Sequence, residues 1–261
     1  MPIRRDDNRG MNMTNDSLRA ALAIGLSTLA FAAHAMGAPD CAPEDLAPVD
    51  GWLARHPWKA GATTPDARVT AACKLWPYDK SVLIVAAAYA QDKERDKNLV
   101  VALVDTKTMS IRSAFQGVVA EDATWSVIQG SLRLDTARYD LAPGVRAFGV
   151  DIASDPVDNA VVRGGVTATR SLFVQQGTQL RLVLDGFVLA TSTKSADGVT
   201  RTASKIAIDS HASHGFADLL VTRNIDPAPA GAGKDHATLA FDGSRYGAPG
   251  AGFTRHQVGE Q

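Results

Sequence analysis

From residue 81 onward, the sequence consists of short apolar or alternating runs that are separated by turn residues. Residues 82–89 and 99–104 are nearly continuous apolar runs joined by a polar segment, which predicts two buried neighbouring strands. Alternation predicts further strands with one face in the core, at Leu132 and Leu134, at Phe148, Val150 and Ile152, and at Leu180, Leu182 and Leu184. This pattern predicts an all-β fold, mainly antiparallel sheet, arranged as a sandwich or a small propeller-like structure.

Turn residues predict where the sheet changes direction. Gly177 separates residues 171–176 from 179–184, and Asp197-Gly198 separates 188–193 from 202–208, so each predicts a hairpin. Further strands are expected at 217–222 and 238–241. The Pro, Ala and Gly residues of 227–233 predict a loop, because Pro lacks a backbone donor.

Residues 41–77 differ from the rest of the chain, since five prolines punctuate them and three tryptophans are interspersed. A short helix is expected over 45–55, and Thr64-Pro65-Asp66 predicts the start of a second helix that runs toward Cys73. The chain is therefore expected to contain a short helical cap at its N-terminal side, a β domain and a flexible tail rich in Gly and Ala. Their expected bounds are 36–80, 81–246 and 247–261.

Residues 1–35 have the three zones of a secretory signal peptide: a basic stretch, an apolar run and the small residues Ala33-His34-Ala35. The apolar run is shorter than the roughly 20 residues of a membrane span, and no later uncharged run reaches that length. We therefore expect a periplasmic or secreted protein with no membrane span.

Cys41 and Cys73 are the two cysteines of the chain, and both follow the expected signal peptide. An oxidising compartment favours a disulfide between them, which would tie the cap and stabilise the fold by about 3 to 4 kcal/mol on the chain-entropy model. Two free thiols, or pairing with another molecule, remain the alternatives.

The charge balance argues against nucleic acid as a partner. Residues 1–35 contain four of the 27 Lys and Arg and three of the 28 Asp and Glu, which leaves 23 basic and 25 acidic side chains in the remainder. No basic stripe is present in this near-neutral remainder, whereas nucleic-acid binders usually show one.

Two segments resemble the strands of FG-GAP or integrin-type β-propeller repeats in secreted bacterial proteins: residues 171–186, with Leu-Arg-Leu-Val-Leu-Asp-Gly, and residues 215–221, with Asp-Leu-Leu-Val. The resemblance implies a propeller-like arrangement with acidic calcium loops before the second segment. Residues 209–214 stand in that place and lack the alternating Asp and Asn of such a loop, so we expect no calcium there.

His211 and His214 form a His-x-x-His pair, with Asp209 and Asp218 nearby. Two interpretations follow from this pair. The first is two solvent-facing histidines of a turn that leads into a strand. The second is an envelope hydrolase in which these four residues supply the acid, the base or metal ligands.

Asp92, Glu94, Asp96 and Asn98 place oxygen ligands at every second position, as in many calcium loops. Lys and Arg fill the gaps and no Gly makes the tight turn, so a charged hairpin tip is expected instead. With no complete ligand set and no local nucleophile motif such as Gly-x-Ser-x-Gly, we expect neither a metal nor a cofactor.

Trp52 and Trp58 flank Arg55 in the cap and are the candidate ligand-binding residues. Clustered aromatic side chains can form a platform for a sugar or peptide, or they can pack a cap against its sheet. Since the sequence supports no membrane span, basic patch, nucleotide loop or local catalytic motif, we expect a binding module that contacts a protein or a cell-envelope polymer. An inhibitor or immunity-type protein that blocks a toxic enzyme is one form it could take.

Overall fold

Strands dominate the part of the chain that the computed structural model describes, which is residues 41–58, 65–91, 95–122, 124–154, 164–196, 198–226, 235–247 and 258–260. These residues belong to one compact unit, Gly37–Gln261. The expected signal peptide, residues 1–35, lies outside the described residues.

One α-helix and twelve strands occur in this described part. In chain order they are α1 (Pro43–Leu53), β1 (Arg68–Leu75), β2 (Val82–Ala90), β3 (Lys97–Asp105), β4 (Ser110–Val119), β5 (Leu132–Ala142), β6 (Val145–Ala153), β7 (Gly164–Gln176), β8 (Gln179–Ser195), β9 (Gly198–Ser213), β10 (Phe216–Asp226), β11 (Asp235–Leu239) and β12 (Val258–Glu260).

The strands form one sheet with the order β1-β2-β3-β4-β8-β7-β6-β5. Its pairings are antiparallel except between β4 and β8, which meet in parallel at a single residue pair, Ala114 with Gln179. The distal part of β8 pairs with β9, which pairs with β10 and then β11, while β12 pairs with β4. The predicted all-β, mainly antiparallel fold is confirmed.

Three apolar clusters hold the layers of the sheet together. The first core joins one face of β2 to β4 with one face of β5 to β8, and includes Ile84, Leu103 and Phe148. The second core joins the other face of β5 to β8 with β10 and β11. The helix core packs α1 against the outer face of β2 and β3. The middle strands therefore bury both faces.

Burial on both faces explains the apolar runs of β2 and β3. Along β2, Ile84 and Ala86 belong to the first core, while Val85 and Ala87 belong to the helix core. Successive side chains of a strand point to opposite faces, so a strand covered on both sides must be apolar at every position. The predicted pairing of these two strands is confirmed.

Helix α1 begins at Pro43, an amino acid suited to the first helical turn, and has Glu44 and Asp45 near its positive end. Leu46, Val49 and Leu53 recur at helical spacing and bury its inner face. Cys41 precedes the helix and is bonded to Cys73 of β1, with the two Cα atoms 5.1 Å apart. The predicted disulfide is confirmed.

The helix expected from Thr64 toward Cys73 is wrong. A three-residue 3-10 turn, Pro65–Ala67, is followed by β1, whose residues pair with β2. The proline does start a turn, but pairing with the edge of β2 then outweighs the local helix preference. A strand of the main sheet thus lies within residues 36–80, the region expected to form the cap.

The hairpins of the chain's second half follow from turn chemistry. The predicted hairpins are confirmed, with Gly177 between β7 and β8 and Gly198 at the start of β9, both at positive φ.

At the C-terminus, where residues 247–261 were expected to be flexible, Val258–Glu260 pair with β4. Residues 248–257 and 261 lie outside the described residues.

Trp125 lies in the loop between β4 and β5 and is buried in the first core, whereas Ile128 of the same loop is 44% exposed. We expect Trp125→Ala to lower the free energy of unfolding by about 3 to 5 kcal/mol, because the cavity cannot collapse fully. Ile128→Ala, the matched control, should change it by less than about 0.5 kcal/mol. Urea unfolding measures both, and equal effects would contradict this placement.

Candidate functional site

The histidine region lies at the turn between β9 and β10. His211, on β9, exposes 83% of its side chain, and its Nδ1 lies 3.2 Å from Oδ1 of Asp209. Hydrogen bonds from the His211 side chain and backbone lower the pKa of Asp209. The pair therefore consists of an exposed His211 and a half-buried Asp209.

His214 has a different role in the same turn. Its backbone is left-handed, with φ of 50°, and Gly215 follows at 88°, as the tight hairpin turn of type I′ requires. Its Nδ1 donates to the carbonyl of Phe241 at 2.9 Å. This side chain ties the turn to the segment after β11.

Asp218, on β10, is buried and already has partners. It accepts from Oγ of Ser213 at 3.1 Å and from the backbone N–H of Phe241 at 3.3 Å. Its carboxylate is thus engaged in fold contacts, while His211 faces solvent. Across the described residues, no three His, Cys, Asp or Glu side chains are placed to hold one metal ion.

The aromatic candidates of the cap differ in exposure, although both pack in the helix core. Trp58 is buried in the helix core, and Trp52 is half-buried and stacks on His56, with ring centroids 4.4 Å apart. Arg55 is exposed. His56 lies between Trp52 and Trp58 in the sequence, and its spacing of four residues from Trp52 at the helix end favours this contact.

In the acidic segment, Asp92 and Glu94 lie outside the described residues. Asp96 accepts from the backbone N–H of Glu121 at 3.0 Å, and Asn98 is buried and accepts from Gln91 at 3.0 Å. Lys97 forms an ion pair with Glu121 at 3.0 Å. The two described oxygen-bearing side chains of this segment thus bind their own chain.

A half-buried charge cluster on β5, β6 and β7 was not predicted. Arg170 donates to both oxygens of Asp151 at 2.6 Å and also contacts Asp135 and the hydroxyl of Tyr139. Burial raises the pKa of Asp151, although Arg170 opposes this. Burial alone would lower the pKa of Arg170. The hydrogen bonds and the charge of Asp151 outweigh burial, so the pKa of Arg170 is raised above its usual value.

Gly149 makes room for this Arg170 cluster. A Cβ at that position would lie 3.1 Å from Cβ of Asp135 and 3.3 Å from the Arg170 side chain. Each guanidinium bond ends on a group of the neighbouring strands, so the cluster binds β5, β6 and β7 together. The sequence contains one signal for it: charged residues alternate with core residues inside otherwise apolar strands.

A surface of different character lies at the end of the sheet that carries the β1–β2, β3–β4 and β5–β6 turns. Leu75, Tyr78 and Met109 expose 49%, 47% and 38% of their surface there. The guanidinium of Arg146 lies over the Tyr78 ring, 4.4 Å from its centroid, and its Nε donates to Asp140. We call these four residues, Leu75, Tyr78, Met109 and Arg146, the turn-end surface.

Arg112 holds two of these turns in place. It donates to Asp79 at 3.2 Å and to Ser81 at 2.9 Å in the first turn, and to Asp105 at 2.5 Å beside the second. The hydrogen bond from Arg112 lowers the pKa of Asp105, and bonds from Ser81 lower that of Asp79. The backbone under Tyr78 is therefore fixed by three charged side chains.

Comparison with models of protein families, with curated proteins and with solved structures finds no match. The resemblance to FG-GAP or integrin-type repeats therefore stays a prediction. Within the described ranges, no helix is both long and apolar enough to cross a membrane.

Substitution of the two histidines should separate their roles. His211→Ala should change the free energy of unfolding by less than about 0.5 kcal/mol, since the side chain is exposed. His214→Ala should lower it by about 1 kcal/mol, because the bond to the Phe241 carbonyl is lost. His214→Asn should lie between them, since Asn tolerates the left-handed backbone. Urea unfolding checks the order, which equal midpoints would overturn.

Acid should weaken the turn contacts of Arg112. The pKa of Asp105 and of Asp79 is lowered from 3.8, so their stabilisation is present above that value and is lost as the pH falls through the lowered pKa. We expect wild-type unfolding free energy to decrease below about pH 4 by more than that of Arg112→Gln. Unfolding curves at pH 6, 4 and 3 test this, and parallel losses in the two proteins would contradict it.

Proposed function

We propose that the protein is a periplasmic or secreted binding module whose turn-end surface contacts a partner protein. The observation that carries this proposal is the exposed set Leu75, Tyr78 and Met109, with Arg146 stacked on the tyrosine. Isolated exposed apolar residues are ordinary, but here three occur in or next to turns at one end of the sheet, and one of them, Tyr78, is held by a pre-arranged arginine.

The composition of this surface suits a protein interface. Tyr, Met and Arg are enriched in interface centres, and Tyr and Arg are among the side chains that contribute most to affinity. A tyrosine stacked under a guanidinium presents a flat apolar face with a charged group beside it.

Rigidity supports the same proposal. Arg112 links the two turns, and Asp140 holds Arg146 at 2.5 Å, so little conformational freedom remains to be lost on binding. A fixed surface of this kind suits an inhibitor or immunity-type protein. Export is supported by the signal-peptide pattern of residues 1–35 and by the disulfide, since disulfides persist in oxidising compartments.

The alternative, an envelope hydrolase at Asp209, His211, His214 and Asp218, has weaker support. Asp218 is buried with two partners, and Nδ1 of His214 is committed to a carbonyl. A hydrolase at this position would have to use Asp209 and His211 without the help of Asp218 and of the His214 Nδ1 atom.

Capture from an envelope extract tests the binding proposal, with residues 36–261 as bait. Tyr78→Ser and Leu75→Ser should each reduce the amount of captured protein at least tenfold, because each removes apolar contact from the proposed interface. Ile128→Ser is the matched control, since Ile128 is similarly exposed but lies in the loop after β4, away from these turns.

Thermal unfolding of each variant confirms that the fold is retained before capture is scored. Equal capture by the Tyr78, Leu75 and Ile128 variants would contradict the turn-end interface. Sedimentation with purified cell-wall polymer forms a second arm. Wild-type binding to the polymer in the absence of any captured protein would assign the partner to the polymer class instead.

A further inference from the structure

The turns that form the turn-end surface are more basic than the chain as a whole. Residues 74–81, 105–112 and 138–146 contain six Lys and Arg against three Asp. Residues 36–261 together contain 23 basic and 25 acidic side chains. A slightly acidic chain therefore concentrates an excess of positive charge at this end of its sheet.

The three carboxylates of these turns are already bonded to arginines of the same turns. Arg112 donates to Asp79 at 3.2 Å and to Asp105 at 2.5 Å. Asp140 is shared by Arg146 at 2.5 Å and Arg138 at 3.5 Å. These acidic groups thus serve internal contacts that hold the turns.

Lys80 and Lys107 are the cations left over. Both side chains are exposed, and among the described residues neither one pairs with a carboxylate. Their turns lie side by side, because the N–H of Thr106 donates to the carbonyl of Ser81 at 2.9 Å and Arg112 bridges the same two turns. Two unpaired ammonium groups are therefore carried by adjacent, fixed segments of backbone.

These lysines lie close in sequence to the exposed apolar side chains. Tyr78 comes two residues before Lys80, and Met109 comes two residues after Lys107. Protein interfaces combine an apolar centre with charges at the rim, and the rim charges of the two partners are complementary in sign. A partner that fits here must offer apolar surface together with carboxylates.

We propose that the partner of the turn-end surface is an acidic protein, which places carboxylates opposite Lys80 and Lys107 and an apolar side chain against Tyr78. This inference rests on the proposed function and adds the chemistry of the partner to it. Rim charges of this kind steer association and select the partner more than they add affinity.

An anionic lipid surface would also attract the lysines, but the acidic groups of the turns argue against it. Asp79 and Asp140 expose 42% and 44% of their side chains at the same end of the sheet. A continuous layer of anionic headgroups would face these carboxylates as well as the lysines. A protein surface can set its carboxylates opposite the lysines alone.

Short random peptides displayed on phage are the first probe, with immobilised residues 36–261 as the target. Peptides that the wild type retains and Tyr78→Ser releases should contain at least twice the Asp and Glu of the unselected library. Tyr78-dependent peptides without this excess would overturn the acidic partner. If no retained peptide depends on Tyr78, the turn-end surface itself is contradicted, and the proposed function fails with it.

Charge reversal tests the two lysines directly, with a selected acidic peptide carrying a fluorophore. The double variant Lys80→Glu, Lys107→Glu should bind it at least tenfold more weakly, because like charges then face each other. Lys194→Glu with Lys205→Glu is the matched control, since both lysines are exposed and lie on β8 and β9 outside these turns. Equal weakening by the two double variants would show general charge attraction and reject the assignment.

Salt dependence gives a second measurement on the same peptide. Raising the salt from about 0.1 M to about 1 M shortens the screening length from about 10 Å to about 3 Å. Binding to the wild type should weaken, whereas binding to the Lys80→Glu, Lys107→Glu variant should change less. Weakening by the same factor in both proteins would count against the two lysines.

Two further arms keep the outcome decisive. If circular dichroism shows that the charge-reversed chain is unfolded, Lys80→Gln with Lys107→Gln replaces it and should weaken binding at least threefold. Vesicles of phosphatidylethanolamine and phosphatidylglycerol in equal parts test the lipid surface by sedimentation. Wild-type binding to these vesicles that the lysine variants abolish, without retention of acidic peptides, would assign the surface to lipid and overturn the proposal.

Discussion

Burial of both faces of β2 and β3 is the constraint on which the rest of the structure depends. Val85 and Val100 face α1, while Ile84 and Leu103 face the strands of the other layer. An apolar strand with one uncovered face would expose a continuous hydrophobic surface to water. The fold therefore needs a cover on each side of the same two strands, and the two covers come from distant parts of the sequence.

The helix side is covered by the segment with the least regular sequence, which explains why it carries the disulfide. Helix α1 has only three turns, and isolated helices of that length are marginal in water. The bond from Cys41 to Cys73 anchors its start to β1, and Arg68 pairs with Asp50 at 3.2 Å near its end. Tyr89 of β2 donates to the same carboxylate, so both ends of α1 are attached to the sheet.

Strand positions could be predicted from the sequence because the two-residue period and the turn residues are local. β1 was missed because Thr64-Pro65-Asp66 has the pattern of a helix start, whereas the strand depends on an edge of β2 that no local pattern reveals. The change of partner along β4 was equally beyond prediction, since it requires both β8 and the C-terminal strand. Local chemistry thus predicted most of the strands but not β1, β4 or β12, and long-range pairing decided how they are arranged.

The same distinction applies to the candidate sites. His211 and Asp218 are close in sequence, which suggested shared chemistry, but a strand and a tight turn place one in solvent and the other in contacts with Ser213 and Phe241. In the turn-end surface, by contrast, residues that are distant in sequence come into contact. Tyr78 and Arg146 are far apart in sequence and meet because successive antiparallel hairpins return to one end of the sheet. In a fold of this kind, a surface built from turns is invisible to motif searches, since each turn contributes only one or two of its residues.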